Sequence, residues 1–312
     1  MKLILKLMGG LLVLTVSIWA LILTAQANIF SLILSITLII LLLVGYFFEF
    51  KKTKDYKLSY KLLIEVIALI VSGITTFYLS SLLKSPVAAA ALMGLVGAMI
   101  FLDYKDAIYI GAFAGMSSIF NIYIFLIVLL IVSFSYILIK PKFEGIGGKG
   151  GLTAFIGVFI VFLFLEVEKS VYFFKPLEYL LLIGISIISS MLTYFLTKYL
   201  DNNNVLASGF VGLIFGVMLM FLKEELFFYL SMVGFGSTFI GMQNRYKFYL
   251  MPVASIIFVF LYSYSYMFMG LGGLLGFLAF LSNIPIILCQ ELVNIKREKD
   301  LNYLKKTTIN KK

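Results

Sequence analysis

Histidine is missing from this chain and cysteine occurs once, at Cys289. Those two scarcities exclude a disulfide framework and any zinc site built on His/Cys clusters. They also remove the commonest general base near neutral pH. Cys289 is expected as a small, buried apolar residue. Charge is scarce as well: 13% of the 312 residues are Asp, Glu, Lys or Arg, against 62% hydrophobic. Soluble domains carry about 25% charged residues. A mean hydropathy of +1.09 leaves a water-soluble fold nowhere to hide its apolar surface. The expected fold class is therefore an all-α polytopic membrane protein, with the bilayer as its solvent.

What charge remains is biased to +10. Such an excess can mark a nucleic-acid partner. Here the basic residues sit in short loops between apolar runs and in the tail, where they act first as an orientation signal. No nucleic-acid partner, cofactor or metal is expected. The expected partners are the bilayer and a small solute or ion, and the sequence leaves a homo-oligomer open.

Runs long enough to cross read at about 3–24, 28–48, 60–83, 86–102, 107–120, 122–139, 151–165, 177–199, 204–222, 226–242, 248–267 and 270–292. A spanning helix needs roughly 20 apolar residues, so 86–102 and 107–120 are short. That pair is either two crossings or one re-entrant pair, and 204–222 with 226–242 poses the same choice. Lys2 and Lys6 before an apolar run, with Ala25-Gln26-Ala27 after it, resemble a signal peptide. The run Leu7–Leu23 exceeds the ~7–15 residues of a typical signal core, so a retained helix is expected. With the N-terminus cytoplasmic and twelve alternating segments, 21 of the 25 Lys and Arg residues fall on the cytoplasmic side, leaving out Lys84, Lys169, Lys175 and Lys223. This bias fits a multi-pass protein of the cytoplasmic membrane with both termini cytoplasmic.

The chain also repeats. Val87–Gly97 recurs as Val205–Gly216, and Gly147–Phe155 as Gly272–Phe280. Between them, Gly111-Ala112-Phe113-Ala114-Gly115-Met116-Ser117-Ser118 follows Tyr109, and Ser231-Met232-Val233-Gly234-Phe235-Gly236-Ser237-Thr238 follows Tyr229. The organisation expected is two leading helices (1–50), a basic loop (51–61), a five-segment unit (60–165), a second unit (177–292) and a charged cytoplasmic tail (293–312). The tail is either a helical extension on anionic headgroups or a disordered end. Five is odd, so the second unit enters the membrane from the opposite side.

Inverted units build a site near the midplane that either face can reach, as in secondary transporters and some channels. The expectation is a transporter or channel rather than an enzyme. Its path is expected at Gly111, Gly115, Ser117, Ser118, Gly234, Gly236, Ser237 and Thr238, where broken or re-entrant helices would expose backbone groups. The bland counterpart is close helix packing on small residues. Glu65 and Glu178, near the starts of the opening helices of the two units, are candidate coupling carboxylates; a Glu so placed also simply complements a helix N-terminus. Lys149, within Gly147-Gly148-Lys149-Gly150-Gly151, is a candidate anion contact. That run resembles a motif of bacterial membrane acyltransferases that use glycerol phosphate, over a handful of residues. The second copy carries Leu274 in place of Lys149, which points to structural glycines and a lysine marking the cytoplasmic side. The alternatives are a membrane enzyme acting on a lipid or phosphorylated substrate, which needs clustered charges at one face, and a structural subunit of a membrane complex.

Overall fold

The computed structural model describes residues 2–52, 59–118, 120–165, 174–221 and 225–309. They form twelve α-helices and, among the described residues, no strand. In chain order these are α1 (Lys2–Ala25), α2 (Ile29–Lys52), α3 (Tyr60–Leu83), α4 (Pro86–Ile100), α5 (Lys105–Gly115), α6 (Ile122–Ile139), α7 (Lys149–Phe162), α8 (Pro176–Tyr199), α9 (Asn204–Phe221), α10 (Glu225–Gly241), α11 (Met251–Tyr264) and α12 (Leu274–Ile309). The protein is an α-helical membrane protein. Six helices, α1, α2, α3, α6, α8 and α12, are long and apolar enough to cross a bilayer alone. The others are shorter. The eleven residues of α5 rise only about 16 Å, roughly half the hydrocarbon thickness.

Local signals set the helix starts. Ser85 accepts from Ala88 N (3.1 Å) with Pro86 in the first turn of α4, and Asn121 accepts from Ile124 N (2.9 Å) to start α6. Large apolar side chains face outward, among them Ile29, Leu82, Tyr123, Phe164 and Leu177. Such a surface is stable only in lipid. Cys289 also faces outward on α12, correcting the expectation that it is buried. The basic loop lies mostly outside the described residues, as do 166–173 and 222–224. Of the two alternatives for the tail, the helical one is found: α12 continues through Pro285 to Ile309.

The interior contacts come in matched pairs. Ser72 Oγ on α3 donates to Ile108 O of α5 (2.6 Å), and Ser189 Oγ on α8 donates to Gly234 O of α10. Ser85 Oγ, capping α4, donates to Gly216 O near the end of α9 (3.0 Å); Asn203, just ahead of α9, donates from Nδ2 to Ala98 O near the end of α4 (3.3 Å). Each of these two helices therefore begins where the other ends. In the same way, α7 and α12 cross with Gly151 against the backbone of Gly276. Gly148 there meets Phe280 N, and Gly273 meets Phe155 N. A side chain at Gly151 or Gly276 would collide with the opposite main chain, which is why both are glycine. The loops entering α7 and α12 share left-handed glycines, Gly145 and Gly148 (φ 75°, 85°) and Gly270 and Gly273 (φ 87°, 82°), a conformation open to Gly at little cost. α1 packs on α2 and α6, and α2 in turn reaches α12 through Gly45 against Ile284.

Candidate functional site

Two cavities share one wall. The first, ≈ 420 Å³, is lined by Asp106, Tyr109, Tyr136, Lys140, Glu144, the Gly145–Gly151 loop, Asn204 and Met242 together with Phe113 and Phe239. The second, ≈ 230 Å³, is lined by Pro86, Met116, Ser118, Phe228, Met232, Tyr262 and the Met269–Gly276 stretch, again with Phe113 and Phe239. Along α5 the wall passes from Asp106 in the first cavity, through Phe113, to Met116 in the second. Along α10 the order reverses, from Phe228 in the second, through Phe239, to Met242 in the first. The cavities thus lie on opposite sides of Phe113 and Phe239.

Those two rings belong to a cluster of four. Centroid separations are 4.2 Å for Tyr109–Phe113, 4.9 Å for Phe113–Phe239 and 5.0 Å for Phe235–Phe239. The contacts are tilted or edge-on, the arrangement ring quadrupoles favour. All four rings are buried. Glycine makes room for them: Gly94 faces the Tyr109 ring and Gly212 the Phe235 ring. One polar chain reaches the cluster, from Tyr109 OH to Ser208 Oγ (2.9 Å) and on to Thr238 Oγ1 (2.6 Å).

The cavities have like walls and unlike chemistry. Met242, Tyr136, Gly145, Gly148 and Gly151 in the first answer to Met116, Tyr262, Gly270, Gly273 and Gly276 in the second. Where the first has Lys149 the second has Leu274, and Met232 stands at the place of Asp106. Paired main-chain bonds hold the loops beside the cavities, Ser118 N to Gly270 O (3.0 Å) and Asn244 N to Gly145 O (3.0 Å). Non-helical backbone in lipid requires such partners. No family model matches this chain, and no curated protein or solved structure is significantly similar to it.

Of the eight small residues expected on the path, Ser118 lines a cavity. The others pack. Gly111 and Gly115 let α5 meet the α3 backbone at Leu69, Gly73 and Phe77, while Gly234 and Gly236 seat the rings of Phe215 and Phe258. Ser117 bonds Ala114 O (2.7 Å) and receives Gly272 N (3.0 Å); Ser237 pairs with Ser186 (2.7 Å), and Thr238 ends the hydroxyl chain. Gly115 meets Gly73 O and Thr76 as Gly241 meets Ser190 O and Thr193, so matching the segments by contact sets Gly111 with Ser237 and not with Ser231 as expected.

The ionisable candidates separate. Lys149 lines the charged cavity, with Nζ donating to Lys140 O (2.7 Å). Glu65 is buried, paired with Lys140 and accepting from Tyr136 OH (3.0 Å). Glu178 reaches back to Lys175 N (2.8 Å) and caps α8. The residue as far ahead of Ser189 as Glu65 is of Ser72 is Leu182, so the two carboxylates do not correspond. Beside the charged cavity, Arg245 bridges Glu49 (2.6 Å) and Glu291 (2.9 Å) and joins Glu144 O (3.0 Å), tying α2 and α12 to the loop ahead of α7. Among the described residues no His/Cys/Asp/Glu group is arranged to hold a metal. Phe113 and Phe239 were hidden in the sequence by the abundance of phenylalanine, 31 residues.

Proposed function

We propose that this protein carries a small solute across the cytoplasmic membrane, and that α3–α7 and α8–α12 are inverted repeats enclosing the path. One observation carries the reading: two cavities with corresponding walls meet back to back at Phe113 and Phe239. The paired contacts support the inversion. A two-fold relating α4 to α9, each beginning where the other ends, runs across the helices and not along them. Helices across the bilayer then put that axis in the membrane plane, as alternating access requires. On this reading the twelve helices make about a dozen crossings, with α5 as a half-crossing completed by irregular backbone. The aromatic cluster is the barrier, and the charged cavity opens to the cytoplasm, in line with the positive-inside bias.

The charges at one face, which an enzyme acting on a lipid would need, are present, but those of Arg245, Glu49, Glu291, Lys140 and Glu65 are tied in pairs. That favours a structural role for them. The test is reconstitution of the wild type and of Phe113→Ala/Phe239→Ala in proteoliposomes. The double variant is expected to leak rubidium or chloride at least about tenfold faster, equivalent to some 1.4 kcal/mol off the barrier. A folded double variant with wild-type permeability would overturn the proposal.

A further inference from the structure

We infer that the solute is a small amphipathic zwitterion, its charged end received in the cavity that holds Asp106 and Lys149 and its apolar body lying against Tyr109, Phe113, Tyr136 and Phe239. The inference rests on the transport reading and names the substrate class of the same site. Three features carry it. The charged cavity presents both signs together, Asp106 with Lys149, over a wall of four aromatic rings. A solute of one sign would gain one set of partners and face the other as like charge. The opposite cavity repeats the apolar part of this wall and drops the charges: Leu274 and Met232 stand where Lys149 and Asp106 do, and of its lining side chains only Ser118, besides the Tyr262 hydroxyl, is polar. A bare ion or a sugar would find almost nothing there to replace its water. The rings between the cavities likewise offer no carboxylate or ammonium, and the Tyr109 hydroxyl is already engaged with Ser208. A wholly apolar solute, in turn, dissolves in the bilayer and crosses unaided. What fits has an apolar body about the size of one ring, which both cavities accommodate, and a head carrying both charges, which finds its partners in the cavity of Asp106 and Lys149.

The experiment uses full-length protein in proteoliposomes and in detergent, with L-phenylalanine as the zwitterionic probe. The comparison probes are phenethylamine, phenylacetate, glycine and rubidium. L-phenylalanine is expected to raise the thermal unfolding midpoint and to exchange across the membrane, with the other four at least about tenfold weaker. Lys149→Leu and Asp106→Met, which copy the apolar cavity, are each expected to weaken L-phenylalanine by a similar factor while leaving the ligand-free midpoint in place. Equal binding of phenethylamine or phenylacetate would overturn the need for both charges, and equal binding of glycine the need for the ring. Movement of rubidium without L-phenylalanine would leave the transport reading standing and overturn the substrate class. Movement of no probe by the wild type, with no leak in Phe113→Ala/Phe239→Ala, would overturn the transport reading and this inference together.

Discussion

The two cavities are built on the same scaffold and differ in what stands on it. Glycines at 145, 148 and 151 answer to glycines at 270, 273 and 276, and methionine and tyrosine recur at matching places. What changes are cavity-lining side chains, Lys149 for Leu274 and Asp106 for Met232. At the crossing of α7 and α12, the positions where a side chain would collide with main chain, Gly151 and Gly276, are glycine on both sides. The same contrast runs through the helix pairs. α3 meets α5 through glycine against backbone, at Gly111 and Gly115. α8 meets α10 partly through hydroxyls, Ser186 with Ser237 (2.7 Å), and a second pair links Ser190 to Ser255 on α11 (3.0 Å).

Breaking the shared part should hurt both halves alike. Gly151→Val and Gly276→Val each drive a side chain into the other helix's backbone. Each is expected to cost about 3 kcal/mol or more, read as loss of monodisperse protein on size exclusion and a lowered unfolding midpoint. A large effect from one and none from the other would deny that the crossing is symmetric. Arg245→Ala sharpens the difference instead, since it removes a clamp found beside the charged cavity. It removes the Arg245 pair from the largely buried Glu49 and is expected to cost about 1–3 kcal/mol by chemical denaturation in detergent; Arg245→Lys should recover only part. Ser85→Ala and Asn203→Ala each remove a side chain at a helix start, with its bond to the partner helix, and should each cost about 1 kcal/mol. Similar losses would support their equivalence. Ser190→Ala, which breaks a hydroxyl pair present in one half alone, should cost only about 0.6 kcal/mol.

Much of this architecture was legible in the residues. Hydropathy located the helices, and the recurring glycines Gly148, Gly151, Gly273 and Gly276 fall where α7 and α12 approach backbone to backbone. Gly111 meets the Leu69 main chain while Ser237 bonds Ser186, so residue identity is a poor guide to which contacts correspond. A like Ser/Thr spacing occurs on α3 and α8. Ser72-Xaa-Xaa-Xaa-Thr76 and Ser189-Xaa-Xaa-Xaa-Thr193 carry it, with Thr76 and Thr193 bonding back to Ser72 O and Ser189 O at 2.8 Å and 2.9 Å. The candidate site was less legible. Small residues marked where helices press together, whereas the cavity walls are large apolar rings whose facing no periodicity reveals. Lys149 was placed at the cavity by its glycine-rich loop, and Glu178 proved a helix cap.

The most direct test of the two-sided arrangement is labelling of Lys149→Cys and Leu274→Cys, each on a Cys289→Ala background, with a membrane-impermeant maleimide added to sealed right-side-out or inside-out vesicles. The account predicts that Lys149→Cys labels from the cytoplasmic side and Leu274→Cys from the opposite one. Labelling of both from the same side would contradict it.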